Sequence, residues 1–272
     1  MAMERGIYTV VDGLDGIGKG EIERAMRGLE EKSGKAVFDT IAHSKAWEEL
    51  PELKDFLGIP VPHYNALMVA EPTFEGIGKV IREEIIAKNG RDYSADVQVE
   101  LYSCNRLVLM KRVVAPALKN GLNVISSRGV SGTFTYQVLK AKDEKKNSGN
   151  IKKRILNHEG NILQLNLPID LLVIATMFDV SNLETRLLER GKTRKDDNSE
   201  FENIEFQGRL KPLFESEELR KLFEGYGTKV AYVDAGVSEE FTRQQAVEIY
   251  KHFLHKREVQ FKYSHPPSVK VK

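Results

Sequence analysis

The sequence is short of cysteine, of long apolar runs and of charge of one sign. Cys104 is alone among 272 residues, which excludes an internal disulfide and predicts a reducing, cytoplasmic location. No uninterrupted apolar run approaches the ~18 residues of a membrane helix, and the start of the chain lacks the apolar core of a signal peptide. Lys and Arg number 41 against 40 Asp and Glu, so no overall field favours nucleic acid or a membrane surface.

Strand-like and helix-like segments alternate along the chain. Residues 6–12 form a β-branched run that stops at a glycine-rich turn, as a buried strand does. Residues 19–32 carry their apolar side chains at helical spacing. Further strands are predicted at residues 36–42, 122–126, 171–175 and 229–233, and further helices at residues 76–88, 95–119, 182–190 and 239–255. The alternation predicts an α/β fold of three layers, with a mostly parallel sheet covered by helices on both faces.

One domain is expected over residues 1–256. Two stretches interrupt the alternation and are predicted to be insertions: residues 43–64, which hold the only tryptophan and three prolines, and residues 140–160, which are rich in Lys, Asn and Gly. The second is predicted to be a mobile surface excursion. Residues 257–272 form a basic tail that we expect to be mobile.

The stretch G-L-D-G-I-G-K occupies residues 13–19, between a predicted strand and a predicted helix. Gly13, Gly16 and Gly18 allow main-chain N–H groups to approach phosphate oxygens closely, and the start of the following helix adds partial positive charge. Lys19 would supply a mobile charge for the β- and γ-phosphates. The stretch predicts an ATP site in a P-loop NTPase-type fold. A glycine-rich turn with a solvated lysine is the alternative.

The residues after Lys19 depart from the usual pattern, in which a Ser or Thr hydroxyl follows the lysine and coordinates Mg²⁺. Gly20 and Glu21 stand there instead. Main-chain contacts to phosphate survive this change, so both remain predicted ATP-binding residues. A water or the Glu21 carboxylate could replace the hydroxyl, and no side chain is assigned as a direct metal ligand.

Five short segments carry a resemblance to a known family. They are residues 71–73 (EPT), 100–106 (ELYSCNR), 116–118 (PAL), 124–128 (VISSR) and 136–137 (YQ). Together with Asp15-Gly16 inside the loop, and in this order, they resemble the motifs of thymidylate kinases. The resemblance implies transfer of the γ-phosphoryl group of ATP, bound with Mg²⁺, to a nucleoside monophosphate, with thymidine monophosphate favoured. Family analogy also implies a homodimer.

The resemblance assigns roles to residues that would bind the acceptor nucleotide. Asp15 would face the sugar 3′-hydroxyl, since a carboxylate accepts a hydroxyl proton strongly. Tyr102 would stack on the base, and Arg106, one helical turn later, would hydrogen-bond it. Arg128 would contact the acceptor phosphate, and Tyr136 occupies the spacing of the family's A-Y-Q. The alternatives are that Asp15 only stabilises its own turn, that Tyr102 packs in the core and that Arg106 is exposed without a partner. For Arg128 the alternative is a purely structural role.

A basic stretch at residues 190–195 follows the helix after the predicted strand 171–175. Thymidylate kinases carry a mobile lid over ATP at this place. The charge on the transferring group would then be met by Arg190 or Arg194, in addition to Lys19 and Arg128. A solvated basic loop is the alternative.

Three positions depart from the family pattern. Gly20 lacks the hydroxyl for magnesium, Ala70 replaces an arginine for the acceptor phosphate, and Ser127 replaces an aspartate near the ion. Either a kinase has rebuilt its site, with Asp12 or Glu21 organising magnesium and a residue of the 43–64 insertion replacing the arginine, or the protein binds nucleotides in a regulatory or partner-binding role. An unrelated P-loop ATPase or GTPase would leave the base-binding helix unexplained.

Overall fold

Six parallel strands form the central sheet in the computed structural model, which describes residues 4–32, 34, 36–57, 64–177 and 204–254. The strands are β1 (Tyr8–Gly13), β2 (Ala36–Asp39), β3 (Tyr64–Ala70), β4 (Asn123–Ser127), β5 (Leu171–Thr176) and β6 (Lys229–Asp234). Their order across the sheet is β2-β3-β4-β1-β5-β6. In the middle, Val11 of β1 lies opposite Ser127 of β4 and Val173 of β5.

Helices connect the strands and cover the sheet. They are α1 (Lys19–Lys32), α2 (Thr40–Trp47), α3 (Leu53–Leu57), α4 (Gly76–Val80), α5 (Ala95–Leu109), α6 (Ala115–Lys119), α7 (Val130–Asp143), α8 (Ser148–Asn157), α9 (Glu159–Asn166), α10 (Ile204–Phe214), α11 (Glu217–Gly225) and α12 (Glu239–Leu254). A π-helical segment, Ile81–Ile85, extends α4, and another, Met110–Val114, joins α5 to α6. The predicted α/β fold of the P-loop NTPase type is confirmed.

The central strands are buried because helices cover the sheet and exclude water from it. Every residue of β1 and of β5 is buried. α1 packs against α12, whereas α5 packs against α7 and α9. Full burial of a side chain such as Leu172 or Ile174 contributes roughly 1.5–3 kcal/mol to stability.

Two strands differ from the sequence-based predictions. β2 stops at Asp39 and not at residue 42, because the Asp39 carboxylate accepts hydrogen bonds from the N–H groups of Ile41 and Ala42, both at 3.0 Å, and thereby begins α2. β3 was not predicted as a strand. Its sequence, YNALMVA, contains one β-branched residue, Val69, and therefore gives a weak strand signal.

The segment at residues 140–160 is mostly helical. Asn147 begins α8 by accepting hydrogen bonds from the N–H groups of Gly149 and Asn150, and Ile151 and Ile155 bury one face of that helix. This helix was not predicted, because its apolar residues are interspersed with Lys and Asn.

Three predicted features lie outside the described residues: the helix at 182–190, the lid with Arg190 and Arg194, and the tail at 257–272. Within the described ranges, no helix combines the length and apolar character needed to cross a bilayer.

Candidate functional site

The loop between β1 and α1 depends on glycine at three positions. Gly13, Gly16 and Gly18 have φ values of 125°, 76° and 104°, in the region that favours glycine. A Cβ on Gly13 would lie 2.1 Å from the carbonyl oxygen of Ala175 on β5, so the strand end also requires glycine for space. The loop therefore presents main-chain groups at the carboxyl edge of the sheet, where ligands of open α/β sheets bind.

Lys19 is the first residue of α1 and its side chain folds back across the loop. Its Nζ donates to the carbonyl oxygens of Gly13 at 3.2 Å and Leu14 at 2.5 Å, and to Oδ1 of Asp15 at 3.1 Å. Burial lowers the pKa of Lys19, and the nearby Asp15 charge opposes this shift. The ammonium group thus lies against the main chain of the loop.

Asp15 joins the loop to two other predicted site residues. Its buried carboxylate accepts hydrogen bonds from Arg128 and, at 2.9 Å, from the hydroxyl of Tyr136. Burial alone would raise the pKa of Asp15, but the charges of Arg128 and Lys19 outweigh it and hold the pKa below its usual range. Asp15, Lys19, Arg128 and Tyr136 therefore form one hydrogen-bonded cluster, named the Asp15 cluster.

Arg128 follows β4 in an unusual main-chain conformation. Its φ is 70°, which few residues other than glycine adopt. Its N–H donates to the carbonyl of Val11 at 2.8 Å, and its carbonyl accepts from the Ser126 hydroxyl at 2.8 Å. These bonds fix the strand end and direct the partly exposed guanidinium to Asp15. Backbone strain of this kind concentrates at functional sites.

A cleft of about 610 Å³, partly open to solvent, adjoins the loop. Its walls include all five residues predicted to bind the acceptor: Asp15, Tyr102, Arg106, Arg128 and Tyr136. The cleft therefore borders the Asp15 cluster and Arg106 at the same time.

Arg106 lies in the wall of this cleft within a network that the sequence did not indicate. Its guanidinium forms a 2.6 Å ion pair with Glu71 and donates to Oγ1 of Thr133 at 3.0 Å and to Asn161. Burial raises the pKa of Glu71, and Arg106 partly opposes this. Gln164 donates to the other Glu71 oxygen at 2.9 Å. Arg106 thus connects α5 to β3, α7 and α9.

Two of the three departures from the family pattern are neighbours in the sheet. Ala70 at the end of β3 pairs with Ser127 at the end of β4. Gly20 is exposed, and a Cβ there would meet open space. Nζ of Lys45 lies 4.7 Å from the centre of the Phe74 ring, so the 43–64 segment brings a positive charge beside the segment that follows β3.

Carboxylates of β1 and α1 lie beside the loop. Asp12 accepts hydrogen bonds from the Ser131 hydroxyl at 2.6 Å and from the N–H of Gly13 at 2.9 Å, and burial raises its pKa. Glu23 on α1 lies within reach of the Ser127 hydroxyl, and burial raises its pKa too. Glu21, by contrast, forms an ion pair with Arg243 at 2.9 Å. Glu23 was not predicted from the sequence, although its spacing from Lys19 places both on one helical face.

The parallel sheet and the loop after β1 define a P-loop NTPase-type α/β protein. The family model for thymidylate kinase matches residues 60–246. The thymidylate kinase of Mycoplasma capricolum is 24% identical over 249 residues, which are 89% of this chain and 93% of the relative. A probable thymidylate kinase of Thermococcus gammatolerans is 24% identical over 144 residues (51% and 55%), and the thymidylate kinase of Maridesulfovibrio salexigens is 26% identical over 152 residues (54% and 66%).

The chain belongs to the thymidylate kinase family, a family of nucleotide kinases. The family match begins at residue 60, after the loop at residues 13–19. The assignment of that loop therefore depends on its own geometry.

Proposed function

We propose that this protein transfers the γ-phosphoryl group of ATP to thymidine monophosphate and releases ADP and thymidine diphosphate. The observation that carries the proposal is the Asp15 cluster, which joins the phosphate-binding loop to the neighbouring cleft. Phosphoryl transfer requires the donor phosphates and the acceptor to meet at one place, and catalysis consists mainly of positioning and charge stabilisation.

The ATP phosphates would bind at residues 13–19. The main chain would contact them at the predicted ATP-binding residues Gly13, Gly16, Gly18, Gly20 and Glu21. The first turn of α1 adds the partial positive charge of a helix N-terminus. Lys19 would exchange its carbonyl partners for phosphate oxygens, a favourable exchange because phosphate carries a full charge. Arg190 and Arg194 remain proposed catalytic groups from the lid.

Mg²⁺ fits the edge of the sheet beside the loop. Asp12 provides a buried carboxylate there and Glu23 a half-buried one. Oε1 of Glu23 is removed from solvent and has no hydrogen-bond partner among the residues that the structure describes. Oxygen ligands of this type, completed by waters and substrate phosphates, are those that Mg²⁺ prefers. When bound, the ion would neutralise charge between the β- and γ-phosphates.

The acceptor would bind in the cleft. Arg128, which now donates to Asp15, would donate to the acceptor phosphate instead. This would release the Asp15 carboxylate to accept a hydrogen bond from the sugar 3′-hydroxyl. Tyr102 would stack on the base and Tyr136 would hold Asp15 in position. Arg106 would hydrogen-bond the base through Nε, which has no partner within the described ranges.

Measuring ADP formation with ATP, Mg²⁺ and a panel of nucleoside monophosphates tests this proposal. We expect ADP only when an acceptor is present and the highest kcat/KM with thymidine monophosphate. Lys19→Ala should lower the rate by several powers of ten because it removes charge stabilisation at the reacting phosphate.

The substitutions at Gly20, Ala70 and Ser127 favour a second candidate, a nucleotide-binding protein with a regulatory or partner-binding role. That candidate predicts thermal stabilisation by nucleotide with no turnover. ADP formation at the same rate without an acceptor would contradict both candidates and indicate a P-loop hydrolase.

A further inference from the structure

Glu23 is the carboxylate of α1 that faces the phosphate-binding loop. It lies four residues after Lys19, so the two side chains share one face of the helix. The charges of Lys19, Arg128 and Asp12 act on the Glu23 carboxylate, and the Ser127 hydroxyl lies within reach of it. Its Oε1 is removed from solvent and has no hydrogen-bond partner in the described part of the chain.

The other acidic residues of α1 have partners that account for their positions. These partners are Arg24 and Arg243 for Glu21, Asn123 and Tyr250 for Glu30, and Arg27 for Glu31. Glu23 has a neighbouring hydroxyl but no direct ion pair with a described Lys or Arg. A carboxylate oxygen that loses water without gaining a hydrogen bond is destabilising, so the position of Oε1 suits a ligand that brings positive charge.

The location of Glu23 matches the chemistry that this chain lacks elsewhere. Ser127 occupies the position where the resemblance implies an aspartate near magnesium, and Gly20 offers no hydroxyl. Glu23 reaches the same place from α1, beside Ser127 and close to the charge of Asp12. One or two carboxylates together with waters and phosphates are enough for Mg²⁺.

We propose that Glu23 replaces the carboxylate missing at residue 127 and positions the Mg²⁺ of bound ATP, directly or through a water of the ion. This inference rests on the proposed function, because it requires ATP at residues 13–19. Glu23 acts on the phosphates through the ion and is therefore a positioning residue.

Calorimetric titration of ATP with and without Mg²⁺, in the absence of an acceptor, tests the inference without turnover. The readout is the Kd without Mg²⁺ divided by the Kd with Mg²⁺. Glu23→Gln should lower this ratio about tenfold or more, as loss of a group that orients a metal site does. Its Mg²⁺-free affinity should equal or exceed that of the wild type, because a negative charge near the phosphates is gone.

Glu31→Gln is the matched control on the same helix. Glu31 is exposed and pairs with Arg27 at 2.8 Å on the surface, so its Kd ratio should equal that of the wild type. The double variant Glu23→Gln/Ser127→Asp restores a carboxylate at residue 127 and should recover most of the ratio. If Glu23→Gln does not fold, Glu23→Asp gives the same readout, since it withdraws the carboxylate by one methylene.

An unchanged ratio in Glu23→Gln would overturn the inference. ATP binding by the wild type without any preference for Mg²⁺ would overturn it as well and leave the ATP site intact. Failure of the wild type to bind ATP under either condition would instead overturn the proposed function together with the inference.

Discussion

Arg106→Met isolates the buried ion pair that connects α5 to the end of β3. Arg106 and Glu71 meet at 2.6 Å with 1% and 2% of their side chains exposed. Methionine keeps much of the volume but removes the positive charge and the hydrogen bonds to Thr133 and Asn161. Glu71 would then be left in the interior without its counter-charge.

Removing one partner of a buried ion pair costs ~3–5 kcal/mol, which is about two to four powers of ten in the unfolding constant. We expect that loss in the free energy of unfolding of Arg106→Met, measured by urea denaturation with far-UV circular dichroism. Lys111→Gln is the control: the Lys111–Glu159 pair has nearly the same length, 2.7 Å, but is 61% and 66% exposed. It should cost far less than Arg106→Met, because water screens the charges of an exposed pair.

The pH dependence provides a second check. Burial raises the pKa of Glu71 and Arg106 lowers it, so removing Arg106 raises it further. A carboxyl with a raised folded-state pKa contributes stability below its unfolded pKa of about 4.3, and this contribution is lost as pH rises through the folded value. The penalty of Arg106→Met should therefore increase with pH. A loss no larger than that of Lys111→Gln, or a penalty that grows toward acid pH, would refute the reasoning.

Two further predictions concern the loop. Gly13→Ala should lower the free energy of unfolding by at least ~2 kcal/mol, because φ is 125° and the new Cβ would lie 2.1 Å from the Ala175 oxygen. The control is Gly28→Ala, inside α1 with open space around it, which should raise the free energy of unfolding by ~0.5–1 kcal/mol. Equal melting temperatures for the two variants would contradict the loop geometry. Arg128 and Lys19 hold the pKa of Asp15 below its usual range against the effect of burial, so its contribution is present above the unfolded pKa of ~3.9 and is lost as pH falls through the folded value. When the free energy of unfolding is measured at decreasing pH, Asp15→Asn should lack this acid-dependent loss of stability. A wild-type curve parallel to that of the variant would contradict the contribution of Asp15.

The loop and its surroundings were predictable because their signals are local. Glycine spacing after a β-branched strand indicated residues 13–19, and four-residue spacing placed Tyr102 and Arg106 on one face of α5. The structure brings both to the same cleft as Asp15 and Arg128. The proposed roles of these residues remain predictions.

The parts that sequence did not indicate depend on tertiary contacts. Nothing local to Arg106 or Glu71 shows that they will pair, since they come from different elements and meet only when α5 packs beside β3. In α1 the deciding quantity is helical phase: at 3.6 residues per turn, Glu21 is roughly 200° from Lys19 around the helix and Glu23 only roughly 40°. Glu21 accordingly pairs with Arg243, and Glu23 faces Ser127.

Phosphorus NMR of ATP and Mg²⁺ mixed with thymidine monophosphate and the protein tests the central claim most directly, because it identifies the product that receives the phosphoryl group. The signals of thymidine diphosphate and ADP should grow together at equal rates, and both should be absent with Lys19→Ala. ATP signals that remain unchanged, or that give way to inorganic phosphate, would contradict the account.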